Sequence, residues 1–115
     1  MKRGDVFWAD LAPRSGSEQS GRRPVIVVSH DSFNQAATWR SVIVVPVSTS
    51  QRQGRQGLTA IALPAGSAAL ARDSLAICHQ VTTVDKSKLS RFIGALPTSA
   101  LREVEEGLRV AMDLE

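Results

Sequence analysis

Residues 25–29 read VIVVS and residues 39–50 read WRSVIVVPVSTS. Both are runs of β-branched residues with little alternation, the pattern of well-buried strands. A chain built around such runs must be organised as a sheet. DVFWADL (5–11) sets Val6, Trp8 and Asp10 against Phe7, Ala9 and Leu11 and reads as a first strand. LTAIALP (58–64), SLAICHQVTTVD (74–85, one long strand or two short ones) and RFIGALP (91–97) supply the others. Pro46 lacks a backbone N–H, so the long strand should bend, bulge or lack a ladder partner there. The Pro/Gly/Ser-rich stretch 12–24 predicts a loop, as do HDSFNQAAT and the basic QRQGRQG (51–57). AGSAALARD (65–73) reads as a turn or a single helical turn.

One helix closes the chain. Thr98 or Ser99 is the expected cap, and the helix should run through residue 113 with Leu101, Val104, Leu108 and Ala111 on its docking stripe. Gly107 costs that helix about 1 kcal/mol against alanine. The expected fold is mainly β with a C-terminal helix: a small, strongly bent β-barrel, one domain over 1–115. Trp8 and Trp39 are core or interface residues, with the core the first expectation.

At 115 residues there is room for one core. No apolar stretch approaches the ~18 residues of a membrane span. The opening MKRGDVFWAD lacks a signal peptide's apolar region. The single Cys78 suits a reducing compartment. The expected location is the cytoplasm.

Residues 1–97 hold 12 Lys/Arg against 6 Asp/Glu, a balance of +6, and residues 98–115 hold 2 against 5, a balance of −3. Between positions 14 and 55 every cation is arginine: Arg14, Arg22, Arg23, Arg40, Arg52 and Arg55. Arginine's planar fork suits phosphate, and a positive field over these loops would attract a polyanion.

The residue inventory removes several chemistries. One cysteine and two histidines, His30 and His79, have no zinc-site spacing, and the carboxylates are too scattered for a two-metal nuclease. No metal or cofactor is expected. There is no nucleophile elbow, phosphate-binding loop or dinucleotide fingerprint. Cys78 lies in an apolar strand segment and is expected to be inert.

Arginine, hydroxyls and Glu18 remain. RNA supplies its own nucleophile, the 2′-OH, so a protein need only move protons and stabilise the charge at phosphorus. Arg23 precedes Pro24, which biases it toward an extended conformation. Ser48 and Thr49 end the longest strand. Adjacent strands would let Arg23 and Ser48 meet.

GSEQSGRRPVIVVS and VVPVSTS, with RGDVFWADLAP before them and RDSLAICHQVTTVDKSKLSRFIGALP after them, resemble the MazF/PemK family of toxin endoribonucleases from toxin–antitoxin pairs. The likeness extends from Arg3 to the final helix. It implies an SH3-like barrel of the CcdB/PemK type and a homodimer with RNA in grooves at its interface. It implies metal-free cleavage of single-stranded RNA at short motifs, leaving 2′,3′-cyclic phosphate and 5′-OH ends. The family's catalytic arginine falls on Arg23, its hydroxyl residue on Ser48 and the Glu of G-S-E-Q on Glu18. Arg23 would answer the charge at phosphorus. Ser48 would bind a phosphate oxygen or orient the 2′-OH. Glu18 is a candidate base, its other role being to position Arg22 or cap the loop. Arg22, Arg52 and Arg55 are expected on phosphates, and Gln19, Thr49 and His79 complete the expected RNA-binding set. The implied partner is a cognate antitoxin whose acidic tail would cover the RNA groove.

Two positions depart from the pattern. Ser48 replaces a commoner threonine, and His79 stands where members often have an acidic residue. Two rivals share the fold. A CcdB-like gyrase poison would carry a C-terminal Trp-Gly-Ile, where this sequence has Met-Asp-Leu-Glu. A non-catalytic RNA-binding module would expose aromatics, and this chain has only three Phe, two Trp and no Tyr.

Overall fold

The computed structural model describes residues 1–11, 21–49 and 57–115. In chain order these form β1 (Asp5–Leu11), β2 (Gly21–Val27), α1 (Asp31–Asn34), β3 (Ser41–Ser48), β4 (Ala60–Leu63), β5 (Ser74–Ile77), β6 (Thr82–Asp85), β7 (Leu89–Ala95) and α2 (Thr98–Met112). The strands make one antiparallel sheet in the order β4-β5-β3-β2-β1-β7, and β6 also pairs with β3.

β3 is the pivot. Along one edge its residues 41–44 pair with β6 and its residues 47–48 pair with β5. Pro46 stands in the gap between those partners, where no ladder on that edge needs its missing N–H. Along the other edge Val25, Ile26 and Val27 of β2 pair with Pro46, Val45 and Val44.

The lack of alternation in VIVVS now has a cause. Ile26 enters a core with Val6, Val45, Val47, Leu63, Val104 and Leu108, beneath α2. Val25 and Val27 point the other way, into a second core with Ala9, Leu11, Val42, Val44 and Val84. One helix can cover only one face. The sheet covers the other itself by bending until Val84 of β6 and Leu89 of β7 share that second core. Its end strands β4 and β7 do not pair among the described residues, so the barrel is bent but open.

α2 docks through two close approaches. A Cβ on Gly107 would lie 2.7 Å from Cys78 Sγ and 3.1 Å from Ile61 Cγ1. The helical cost of that glycine is therefore tied to its docking. Cys78 Sγ donates to the Val104 carbonyl at 3.5 Å. Elsewhere, a Cβ on Gly94 of β7 would sit 2.6 Å from the Ala68 carbonyl oxygen, so glycine is what lets the 3₁₀ turn Ser67–Ala69 pack on that strand. A polar cluster ties the N-terminus to α1 and α2. Arg3 pairs with Glu105 and donates Nε–H to the Val28 carbonyl at 3.0 Å, and its backbone N–H donates to Asp31 Oδ1 at 2.6 Å.

Several expectations change. β2 starts at Gly21, not Val25, because pairing with β1 continues from Val6–Ile26 to Leu11–Gly21. Arg22 and Arg23 are thus strand residues. Stretch 74–85 is two strands around the 3₁₀ turn Cys78–Gln80, so Cys78 is buried on a turn and not in a strand. Stretch 30–38 contains α1, capped by the His30 ring. Neither Thr98 nor Ser99 caps α2: extended Pro97 holds the cap position without a side-chain bond. The helix stops at Met112 because Asp113 turns left-handed at φ 55° and donates its N–H to the Arg109 and Val110 carbonyls. Trp39 lies outside β3, 49% exposed, against Phe33. Trp8 is only partly buried.

Candidate active site

The site is built on the β1–β2–β3 ladder. Antiparallel partners share a face, and successive residues alternate between faces. Arg23 pairs with Ala9 of β1 and lies on the face of Val25 and Val27, the second core. Ser48 follows Val42, Val44 and Pro46 at two-residue steps on the facing side of β3. Pairing between β2 and β3 ends at Val25–Pro46. Carried two residues further, the same register sets Arg23 opposite Ser48, at one end of the inner face.

Arg23 is half-buried and Ser48 is 1% exposed. Arg23 has apolar neighbours on its face, buried Ala9 and Leu11 of β1. Low-dielectric walls strengthen its pull on an anion. Thr49, next in sequence, is exposed.

Arg22 faces the other way. It pairs with Asp10, and its guanidinium lies 4.6 Å from the centre of the Trp8 ring. The two adjacent arginines therefore serve opposite faces of one strand. His79 is exposed on the turn Cys78–Gln80, beside α2. That turn follows β5, whose Leu75 pairs with Ser48. Glu18, Gln19, Arg52 and Arg55 lie outside the described residues. Arg72, which the sequence reading did not single out, is exposed just before β5, whose Leu75 pairs with Ser48. Its signal was the Arg-Asp-Ser step at a predicted strand start.

The remaining polar residues have structural work. The His30 ring Nδ1 accepts from the Ser32 backbone N–H at 3.0 Å. Asp31 Oδ1 accepts from Asn34 Nδ2 at 3.0 Å. Those bonds from Asn34 and the Arg3 backbone hold the Asp31 carboxyl below its ordinary range. Burial pushes the Cys78 thiol up to about 11. Among the described residues no three His, Cys, Asp or Glu side chains gather as an ion site, and no helix is long and apolar enough to cross a membrane.

A family profile described as PemK-like, MazF-like toxin of type II toxin-antitoxin system matches residues 2–112. The chain belongs to the PemK/MazF toxin family. It is 35% identical over 114 residues to endoribonuclease MazF6 of Mycobacterium tuberculosis, covering 99% of this chain and 98% of that one. It is equally 35% identical to endoribonuclease EndoA of Bacillus subtilis, covering 99% and 96%. In fold it is similar to MazF from Deinococcus radiodurans, with a TM-score of 0.80, 23% identity and 98% and 96% coverage. It is also similar to a mycobacterial endoribonuclease solved in complex with its cognate antitoxin, with a TM-score of 0.79, 20% identity and 100% and 97% coverage. As a PemK/MazF protein, the chain has the fold its sequence resemblance implied.

Proposed function

We propose that this protein is the toxin of a type II toxin–antitoxin pair, a cytoplasmic endoribonuclease that cuts single-stranded RNA without a metal ion. The observation carrying this reading is the register of β2 and β3, which pairs Val25 with Pro46 and, continued two residues, would set Arg23 opposite Ser48. Family membership and 35% identity to named endoribonucleases over nearly the whole chain support it.

The substrate's 2′-oxygen attacks the adjacent phosphorus, and the bond to the 5′-oxygen breaks. The proton leaving the 2′-OH goes to a base, for which Glu18 is the candidate, and the 5′-oxygen takes a proton from solvent as it leaves. The ends are a 2′,3′-cyclic phosphate and a 5′-OH. Arg23 supplies fixed positive charge and N–H donors where negative charge grows on the phosphoryl oxygens. Ser48 donates to a phosphoryl oxygen or holds the 2′-OH. Arg22, Arg52 and Arg55 contact phosphates and set salt dependence, while Gln19, Thr49 and His79 lie along the RNA path. The protein works as a homodimer, and its antitoxin covers the RNA surface with an acidic segment that folds on binding.

The test is cleavage of a long single-stranded RNA by wild type and Arg23→Ala at matched concentration. Cuts at discrete sites that fall by about 10²–10³ in rate in the variant are expected, the usual cost of removing an oxyanion-stabilising donor. RNA binding without cleavage by wild type would contradict the proposal.

A further inference from the structure

The outer face of β2-β1-β7 carries a grouping that catalysis on the inner face does not use. Trp8 pairs with Pro24 on one side and with Arg91 on the other, so Arg91 shares its face. Arg22 reaches over the Trp8 ring from the β2 side. Behind Trp8 on the same face of β1, Val6 is fully buried in the core under α2. Trp8 is thus where that cover ends. Arg22 and Arg91 are both exposed. Asp10, opposite Arg22, is the one acidic residue on this face of the three strands, leaving a net charge of +1.

We infer that Trp8, Arg22 and Arg91 form a nucleotide platform that holds one residue of single-stranded RNA outside the reacting phosphate. The inference rests on the ribonuclease reading above, extends the RNA path to Trp8 and Arg91, and gives Arg22, already on that path, a base to stack on. The Arg22 guanidinium, held 4.6 Å over the indole, offers a second surface to a base, because guanidinium groups stack on aromatic faces. Stacking of this kind tolerates any base, since every base has a π-face. Arg91 lies two strand spacings across and two residues along from Arg22, about 12 Å between backbones, and supplies a cation for the neighbouring phosphate. The adjacent position of Arg23 on β2, facing inward, means a strand of RNA crossing the β2 end meets both faces. Occupancy by RNA is favoured over an apolar protein surface because the aromatic is bracketed by two cations.

The test uses a Trp39→Phe protein, in which Trp8 is the only tryptophan, and a short, dye-labelled, fully 2′-O-methylated single-stranded RNA that has no 2′-OH to attack. Anisotropy of the dye reports binding, and tryptophan emission reports Trp8. Binding should quench Trp8. Arg91→Ala should weaken binding three- to tenfold and lower the slope of log Kd against log salt by about 0.7, the loss of one phosphate contact, while Arg91→Lys keeps the slope. Saturation with RNA that leaves Trp8 emission unmoved, or an Arg91→Ala protein with unchanged affinity and slope, would overturn the platform. Equal quenching by a polyglutamate peptide would overturn its assignment to a nucleotide. Wild-type cleavage of unmodified RNA separates the two claims. Cleavage with a silent platform sinks the platform alone, whereas Trp8 quenching without any cleavage sinks the ribonuclease reading.

Discussion

Ser48 is one of two positions at which the sequence resemblance implies a departure from the family's pattern, and its surroundings say what the departure would cost. The side chain is buried at the end of a strand, where threonine's β-branch would restrict χ1 and serine's hydroxyl is freer. Ser48→Thr should keep cleavage, because the donor stays in place. Ser48→Ala should slow cleavage about tenfold, the worth of roughly one hydrogen bond. Equal rates for serine and alanine at this position would remove Ser48 from the mechanism. Cys78 makes a different prediction. Burial raises its thiol to about 11, so the folded state retains a proton that the unfolded chain releases at its ordinary value, 9.0. Stability should therefore be intact below pH 9 and fall as pH rises from there toward 11. Urea melts across that range check the sign, and a Cys78→Ala protein should lose this component of the slope.

Among the elements, α2 fits closely on the turn under it. Gly107→Ala should destabilise by about 1–3 kcal/mol, as overpacking does, even though alanine is the better helix former. Adding Cys78→Ala to that protein should recover part of the loss, because the nearest clash is with Sγ. A Gly107→Ala protein melting above wild type would show that this contact relaxes freely. Element identity was legible where a run was long or strongly patterned: β1, the β-branched core of β2, the stripe of α2 and the interruption at Pro46. It was not legible where pairing overrode local composition. GRRP looks like loop chemistry, and only the β1 ladder reveals it as strand. The Cys78 turn was hidden inside an apolar run, because a strand and a buried 3₁₀ turn use the same residues.

That boundary had a consequence for the site. Read as loop residues, Arg22 and Arg23 face one mouth together. As strand residues they alternate, and only Arg23 shares the inner face with Ser48. The sequence resemblance implies roles for Arg23, Ser48 and Glu18, but no sequence pattern revealed Arg91, whose place beside Trp8 depends on a non-local pairing between β1 and β7. Trp39 escaped the core for a similar reason. It lies just before β3, where Phe33 of α1 gives it a partner at the surface.

At the scale of the whole molecule, a bent sheet with two cores holds an arginine and a hydroxyl at one end, in a chain whose first 97 residues carry a balance of +6. The field draws RNA in, and the ladder sets the chemistry. The central claim is that the RNA provides the nucleophile. The direct measurement is the identity of the new ends after wild-type cleavage of a long single-stranded RNA in excess EDTA. Cuts at discrete sites bearing 2′,3′-cyclic phosphate and 5′-OH are predicted. Ends bearing 5′-phosphate and 3′-OH, or cleavage that EDTA abolishes, would contradict the account.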